Sequence, residues 1–395
     1  VDQPAPGAER LLPGDADMRS IRPQLPGAGA KLLVVGLGKT GLSCARWLHA
    51  LGYSVAVTDS REAPPALAQA RAELPDVALM LGGFNAAAFA AADQIIVSPG
   101  VPLTEPLIQQ ALAAGRPVLG DVELFARVVQ APVVGITGSN GKSTVTTLLG
   151  LMARAAGKQT AVGGNLGEPA LDLLDDQVEL YVLELSSFQL ETTYSLPLRA
   201  ATVLNLSPDH MDRYPDMAAY AAAKQRIFAH AEAAVVNRDD PAAARLAGGL
   251  HEPVGFSLSA PAAPGDYGIA ERDGVSWIVR GQALEQELLM PVAELLLPGT
   301  HNLANALAAL ALGGLCGLPT PAMCSVLRSF RGLAHRSELV AEHQGVRWIN
   351  DSKGTNPGAT VAALAGLVPD PSRGKAVLIA GGDCKGADFS ALALA

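Results

Sequence analysis

The stretch APVVGITGSNGKSTVTTL, residues 131–148, decides the fold. A short apolar run ends at Thr137, a turn of small residues follows, and a helical stretch runs from about Lys142 to Ala156. The turn Thr137-Gly138-Ser139-Asn140-Gly141-Lys142-Ser143-Thr144 closes on Gly-Lys-Ser, the ending of a phosphate-binding loop. In such a loop the backbone N–H groups cradle phosphates and the lysine neutralises β and γ charge. The hydroxyl after it can ligate Mg²⁺. The strict spacing wants its first glycine where Ile136 stands, and Gly135 is one place early, so this is a variant loop. A nucleoside triphosphate site is expected there.

Further short β-runs alternate with helical stretches on both sides of this loop, which is the pattern of parallel sheets with crossover helices. Downstream lie KQTAVGG (158–164), ELYVLEL (179–185), AATVLNL (200–206) and AAVVN (233–237). Arg272-Asp273-Gly274 then marks a hairpin turn within 267–281, and a helix is expected over 301–317. A third unit holds a strand at 346–351, a helix at 356–367 and a further strand at KAVLIAGG, 375–382. Upstream, strands are expected at 32–36, 54–59, 77–80, 94–98 and 117–120. The first of these runs into Gly36-Leu37-Gly38-Lys39-Thr40-Gly41, and Asp59 closes the next strand. That is a dinucleotide-type fingerprint in its proper context, which points to some nucleotide diphosphate but not to nicotinamide, or else to a tight βα turn with no ligand. The units are a Pro/Gly/Ala-rich disordered lead (1–29), a first domain (30–130), a central domain (131–331) and a third domain (332–395).

Composition narrows the function classes. The 395 residues are 49% apolar and 17% charged, which excludes a disordered chain. Net charge is −9 and aromatics are 4%, so there is neither a basic footprint nor an aromatic platform for nucleic acid, nor a patch for anionic membrane. The longest uncharged apolar stretch, Leu303–Leu318, is too short for a bilayer span and reads as a buried helix. The four cysteines form no CxxC pair, so free thiols in a reducing, cytoplasmic setting are expected.

Several residues fall where strands of a parallel sheet end. Glu184 follows Leu180-Tyr181-Val182-Leu183, where a carboxylate could meet Mg²⁺ or face solvent. His210 lies in DHMDRYP (209–215), just past another strand, and is either a ligand or structural. Lys224, in AAYAAAKQRIFAHA, reads from spacing alone as a surface lysine. Asn302 and Asn305 share one helix face and could bind a base or ribose, or pair within the core. Arg336, Asp351, Lys353, Thr355 and Lys385 lie in charged loops of the third unit.

Taken in order from Lys31 to Ala395, these motifs resemble those of the Mur ligases. ITGSNGKSTVTTL (136–148) and HNLANALAALAL (301–312) are similar across that family and its folylpolyglutamate synthase relatives. GGNLGEPALDLL (163–174), LELSSFQLETT (183–193), DHMDRYP, LAHRSEL (333–339), WINDSKGTN (348–356) and GGDCKGADFS (381–390) complete the likeness. LELSSFQLETT and DHMDRYP point to the D-glutamate-adding branch.

The resemblance implies an α/β protein of three domains: a Rossmann-like UDP-binding domain, a P-loop ATPase-like central domain and a Rossmann-like C-terminal domain. It implies ATP-dependent amide formation between UDP-N-acetylmuramoyl-L-alanine and D-glutamate through an acyl phosphate, a cytoplasmic step of peptidoglycan precursor synthesis, carried out by a monomer. Lys142, Ser143 and Thr144, with Gly138, Ser139, Asn140 and Gly141, would hold the ATP phosphates. Glu184 and Ser143 would take a first Mg²⁺, and His210 a second beside Lys224, which matches the lysine carbamylated in the family. Asn302, Asn305, Arg336 and Asp351 would bind ATP, and Lys353, Thr355 and Lys385 would approach D-glutamate. Lys39, Thr40, Ser60, Arg61 and Gly82 would surround the UDP moiety, and Asn165 and His210 the reacting end of the substrate. Closure of the domains over ATP is expected, to keep water from the acyl phosphate. The chain opens on Val1 and stops at Ala395 soon after GGDCKGADFS. Against the resemblance, this leads us to expect a fragment with an incomplete third domain and poor turnover.

Two other readings stay open. One is an NAD-dependent oxidoreductase resting on Gly36–Gly41 and Asp59. A phosphate loop argues against it, because hydride transfer needs no γ-phosphate chemistry. The other is a nucleotide-binding regulator without turnover.

Overall fold

A computed structural model describes residues 27, 29–297, 299–367, 374–382 and 388–393. Apart from residues 27 and 29, the expected lead lies outside the described residues.

Five parallel strands form the first sheet: β1 (Lys31–Val35), β2 (Ser54–Asp59), β3 (Ala78–Leu81), β4 (Gln94–Val97) and β5 (Val118–Leu119). Their order is β3-β2-β1-β4-β5. The central strands β1 and β4 are apolar and buried along almost their whole length, as a sheet covered on both faces requires. The order reverses between β1 and β4, which leaves a crevice at their carboxyl ends. The turn from Gly36 to Gly41 crosses that crevice into helix α1 (Lys39–Ala50). A Cβ on Gly41 would lie 1.9 Å from the Gly36 carbonyl oxygen, so only glycine lets helix and turn pass this closely.

Helix α2 (Asp121–Val128) leads to a nine-stranded sheet. Its strands are β6 (Val133–Thr137), β7 (Thr160–Gly164), β8 (Leu180–Glu184), β9 (Ala200–Val203), β10 (Ala234–Asn237), β11 (Val254–Phe256), β12 (Tyr267–Arg272), β13 (Val275–Gly281) and β14 (Gln286–Pro291). The spatial order is β14-β13-β12-β11-β10-β9-β6-β8-β7. Pairing is parallel from β7 through β12 and antiparallel at β12–β13–β14. The hairpin turn falls where expected, with Asp273 and Gly274 both at positive φ (52° and 73°). The helices of this unit include α3 (Lys142–Ala155), α4 (Ser187–Glu191), α5 (Met217–Gln225) and α6 (Thr300–Leu315). Leu148, Leu149 and Met152 of α3 share one buried core with Leu307 and Leu310 of α6. The long uncharged run is therefore a core helix, and no described helix is long and apolar enough to cross a membrane.

The third unit contains β15 (Glu338–His343), paired antiparallel with β16 (Val346–Asn350), and then α7 (Pro357–Leu367). The strand expected at 375–382 is not formed. A strand exists through its ladder, and this segment has no ladder partner among the described residues. Its Val377 and Ile379 are 91% and 84% exposed.

The first and second sheets meet at a polar joint. Gly120 N–H donates to the Thr192 carbonyl, and Glu123 accepts from the backbone of Tyr194 and Ser195. Asp121 accepts at one oxygen from Gln189 Nε2 (3.2 Å), while its buried Oδ1 has no partner. Burial pushes the Asp121 carboxyl up from 3.8 to about 6. The folded chain thus holds this proton at a pH where the unfolded chain has released it. Ionised Asp121 opposes folding by about 3 kcal/mol above pH ~6, and the penalty fades as pH falls toward ~4. Asp121→Asn is expected to raise the melting temperature at pH 8, with the gain shrinking as pH falls from 6 to 4. A melting series across that range checks it; an equal gain at every pH would show another cause.

Candidate active site

Neighbouring strands β9, β6 and β8 end together, so the loops after them converge at one edge of the sheet. The loop from β6 into α3 needs glycine at Gly138 (φ 151°) and Gly141 (φ 82°). A Cβ on Gly141 would lie 2.3 Å from Asn305 Oδ1 of α6. Asn205, which sequence reasoning missed, clamps the loop. Its Oδ1 accepts from Asn140 N–H (2.8 Å), its Nδ2 donates to the Asn140 carbonyl (3.0 Å), and its carbonyl accepts from Ser139 N–H. Lys142 Nζ donates to the carbonyls of Gly138 (2.8 Å) and Ser139 (2.9 Å). Burial lowers the Lys142 ammonium from its ordinary value, against the opposing pull of Glu184 and Asp209.

Four expected residues meet behind the lysine. Ser143 Oγ donates to Glu184 Oε2 (2.7 Å), and Arg336 Nη2 donates to Ser143 Oγ (2.8 Å). Asn165 Nδ2 donates to Glu184 Oε1 (2.6 Å). Glu184 is buried, so the solvent-facing reading of this strand-end acid fails. The link from Arg336 also ties the third unit to the phosphate loop.

Lys224 corrects the reading from spacing, since it is 2% exposed rather than on the surface. Its Nζ donates to the Gly138 carbonyl (3.0 Å) and lies 4.6 Å from the centre of the Tyr220 ring. Burial, then the nearby Lys142 charge, pull the Lys224 ammonium well below the usual lysine range. The helical pattern of α5 carries no sign of this, because the burying surface comes from the phosphate loop. His210 sits at φ 58°, with its ring centre 4.8 Å from that of Phe188 at a steep angle and its Nε2 3.7 Å from Asp209 Oδ2.

A cavity of about 340 Å³ opens beside the loop. Asn140, Gly141 and Thr144 line it from the loop, and Asn302 and Asn305 from α6. Asn305 Nδ2 donates to Asn302 Oδ1 (3.3 Å), so the two amides both pair and face the cavity. Arg336, Asp351 and Lys353 close the wall from the third unit. Thr355 is exposed and not on this wall, and Lys385 lies outside the described residues. Sequence reasoning also missed Asn356. Its Nδ2 donates to Asn140 Oδ1 (3.0 Å) and Asp209 Oδ2 (3.2 Å), and its Oδ1 accepts from Ala359 N–H (2.8 Å), capping α7. Its place in the loop WINDSKGTN was the available signal.

In the first unit, Lys39 and Thr40 open α1, Ser60 and Arg61 follow β2, and Gly82 follows β3. Lys39 is engaged across the units, pairing with Glu168 (3.0 Å) and donating to the Gly167 carbonyl (3.0 Å). Asp59 is buried and its oxygens are filled. Oδ1 accepts from Arg61 N–H and Nε, and Oδ2 from Leu37 N–H (2.6 Å) and Arg61 Nη2 (2.7 Å). Those four donors occupy the lone pairs that would bind a dinucleotide ribose, so the nicotinamide reading loses its anchor.

Comparison with known proteins agrees with this geometry. Residues 136–313 match the Mur ligase middle domain, and residues 30–120 match the Mur ligase MurD-like N-terminal domain. The UDP-N-acetylmuramoylalanine–D-glutamate ligase of Nitrosococcus oceani is 57% identical over 371 residues, covering 94% of this chain and 80% of that protein. The Methylobacillus flagellatus protein of the same name is 54% identical, over 92% of this chain and 78% of its own. Among solved structures, the UDP-N-acetylmuramate–alanine ligase of Thermotoga maritima superposes with a TM-score of 0.54 at 19% identity, covering 86% of this chain and 77% of that one, a likeness of fold.

Proposed function

The chain belongs to the Mur ligase family, and from that premise we propose that it joins D-glutamate to UDP-N-acetylmuramoyl-L-alanine with conversion of ATP to ADP and phosphate. The observation that carries the chemistry is the Ser143–Glu184 pair behind Lys142, joined by Arg336 to a cavity that Thr144 lines from the loop and Lys353 from the third unit. A carboxylate is a poor electrophile until one of its oxygens becomes a good leaving group. The L-alanine carboxylate oxygen therefore attacks the γ-phosphorus and ADP departs, which leaves an acyl phosphate. The D-glutamate amine then attacks the carbonyl carbon, and the tetrahedral adduct expels phosphate as the amine loses its proton.

In this reading Lys142 and the loop N–H groups hold the transferring phosphate. Asn302, Asn305, Arg336 and Asp351 hold the rest of ATP, and Lys353 faces the incoming amino acid. A hydroxyl and a carboxylate 2.7 Å apart on a phosphate loop are the hard oxygen donors that suit Mg²⁺ beside phosphates. Ser143 and Glu184 would hold that ion, which when bound neutralises charge developing on the phosphate oxygens. For a second ion His210 would need oxygen partners beyond Asp209, whose Oδ2 lies 3.7 Å from its Nε2. Unmodified Lys224 cannot provide one, because an ammonium has no lone pair. Its lowered basicity favours the neutral amine, whose nitrogen can bond the carbon of CO₂ and shed a proton to give a carbamate. A monomer working in the cytoplasm, where ATP and UDP-sugars are supplied, goes with this reading.

Phosphate release measured with L-alanine, D-glutamate, meso-diaminopimelate, L-lysine and D-alanyl-D-alanine as acceptors tests the reading. Release is expected only with UDP-N-acetylmuramoyl-L-alanine and D-glutamate together. Preference for another acceptor would overturn it, and nucleotide binding without turnover under any pairing would favour a regulator.

A further inference from the structure

Within DHMDRYP the proposed chemistry uses His210 and leaves Arg213 without a role. The Arg213 side chain is 14% exposed, and its two terminal nitrogens make three hydrogen bonds. Its Nη1 donates to the Pro99 carbonyl (2.8 Å), and its Nη2 to the Val101 carbonyl (3.4 Å) and to Glu191 Oε2 (2.9 Å). Its guanidinium lies 4.0 Å from the centre of the Phe188 ring, the same ring whose centre lies 4.8 Å from that of His210. Backbone bonds from Arg213 N–H and Tyr214 N–H to the His210 carbonyl hold the tight turn that carries both side chains.

Pro99 and Val101 belong to the loop after β4, on the far side of the first sheet's crevice. That loop is bound to the glycine turn: Ser98 Oγ donates to the Gly36 carbonyl (2.9 Å), and a Cβ on Gly36 would meet Val101 at 3.0 Å. One guanidinium thus spans from the wall of the first unit's nucleotide crevice to the turn bearing His210 in the second unit.

We infer that Arg213 is a positioning residue that sets the spacing between the diphosphate pocket of the first unit and the phosphoryl-transfer site of the second. The inference rests on the ligase reading, in which one substrate must reach both places. Such a ligand carries a uridine diphosphate at one end and a carboxylate at the other. Once the first end is bound, the second meets its site at an effective concentration fixed by the distance between the two. The strut fixes that distance. A planar, forked cation suits the task, because it donates in two directions while stacking on a ring, which a lysine cannot do.

The test is to measure binding of UDP and of UDP-N-acetylmuramoyl-L-alanine by calorimetry in the unsubstituted protein, in Arg213→Met and in Arg213→Lys. Both variants are expected to bind UDP within about twofold of the unsubstituted protein and the whole substrate about tenfold more weakly or worse. Phe188→Leu, which keeps the guanidinium bonds and removes the ring, is expected to shift the whole substrate in the same direction by less, and serves if the Arg213 variants do not fold. Equal loss of both ligands would mean a damaged pocket, and no loss of either would mean an idle residue; each overturns the inference while leaving the ligase reading intact. An unsubstituted protein that binds neither ligand would overturn both.

Discussion

Lys142→Ala is expected to lower D-glutamate-dependent phosphate release by about a thousandfold or more, with the fold unchanged. The ammonium lies within hydrogen-bond reach of the Gly138 and Ser139 carbonyls, so it already sits over the cradle where β and γ phosphates would rest. Removing it leaves the developing negative charge without its nearest fixed cation in a partly buried site, where charge is poorly screened. Arg336 stands elsewhere on the loop, with Nη2 donating to Ser143 Oγ (2.8 Å) rather than to the Gly138 and Ser139 carbonyls that Lys142 reaches. Steady-state phosphate release and a melting curve together make the measurement. Activity within tenfold of the unsubstituted protein would remove Lys142 from the phosphoryl site, and a collapsed melting curve would mean that its two loop bonds are structural.

Lys224→Ala is expected to lose most activity, by about a hundredfold, and to regain part of it when short-chain carboxylates such as acetate or formate are added. The side chain is 2% exposed beside Lys142, an arrangement that penalises two ammonium charges and favours a neutral amine. If that amine takes up CO₂, the residue acts as an anionic oxygen donor, and a small carboxylate entering the space left by the truncation supplies the same oxygen. The unsubstituted enzyme should also gain activity on addition of bicarbonate after exhaustive removal of CO₂. Wild-type turnover in Lys224→Ala would remove the carbamate from the mechanism. Loss that no carboxylate repairs would assign Lys224 to holding the loop through Gly138.

The parts legible in the sequence were those fixed by local rules. The phosphate loop, the glycine turn after β1 and the Asp273-Gly274 hairpin each depend on a few adjacent residues whose backbone demands only glycine or its substitutes meet. The buried state of Lys224 was not legible, because the surface that covers it comes from a loop more than eighty positions earlier in the chain. Asn205 and Asn356 were missed for the same reason, since each acts through an amide that pairs with a residue far away in the chain. The expected strand at 375–382 shows the opposite error. Its composition suits a buried strand, but composition cannot supply the neighbour a ladder needs.

Asn356 also has a consequence for the entropic cost of joining the third unit to the phosphate loop. Its Oδ1 caps α7 by accepting from Ala359 N–H, a bond that the helix requires whatever stands beside it. The rotamer that meets Asn140 and Asp209 is therefore fixed by the residue's own helix. When the third unit meets the phosphate loop, little side-chain entropy remains to be lost on its side, and most of the search falls to Asn140. The contact behaves as a key cut in advance, which lowers its entropic cost and makes it sensitive to the placement of α7 itself.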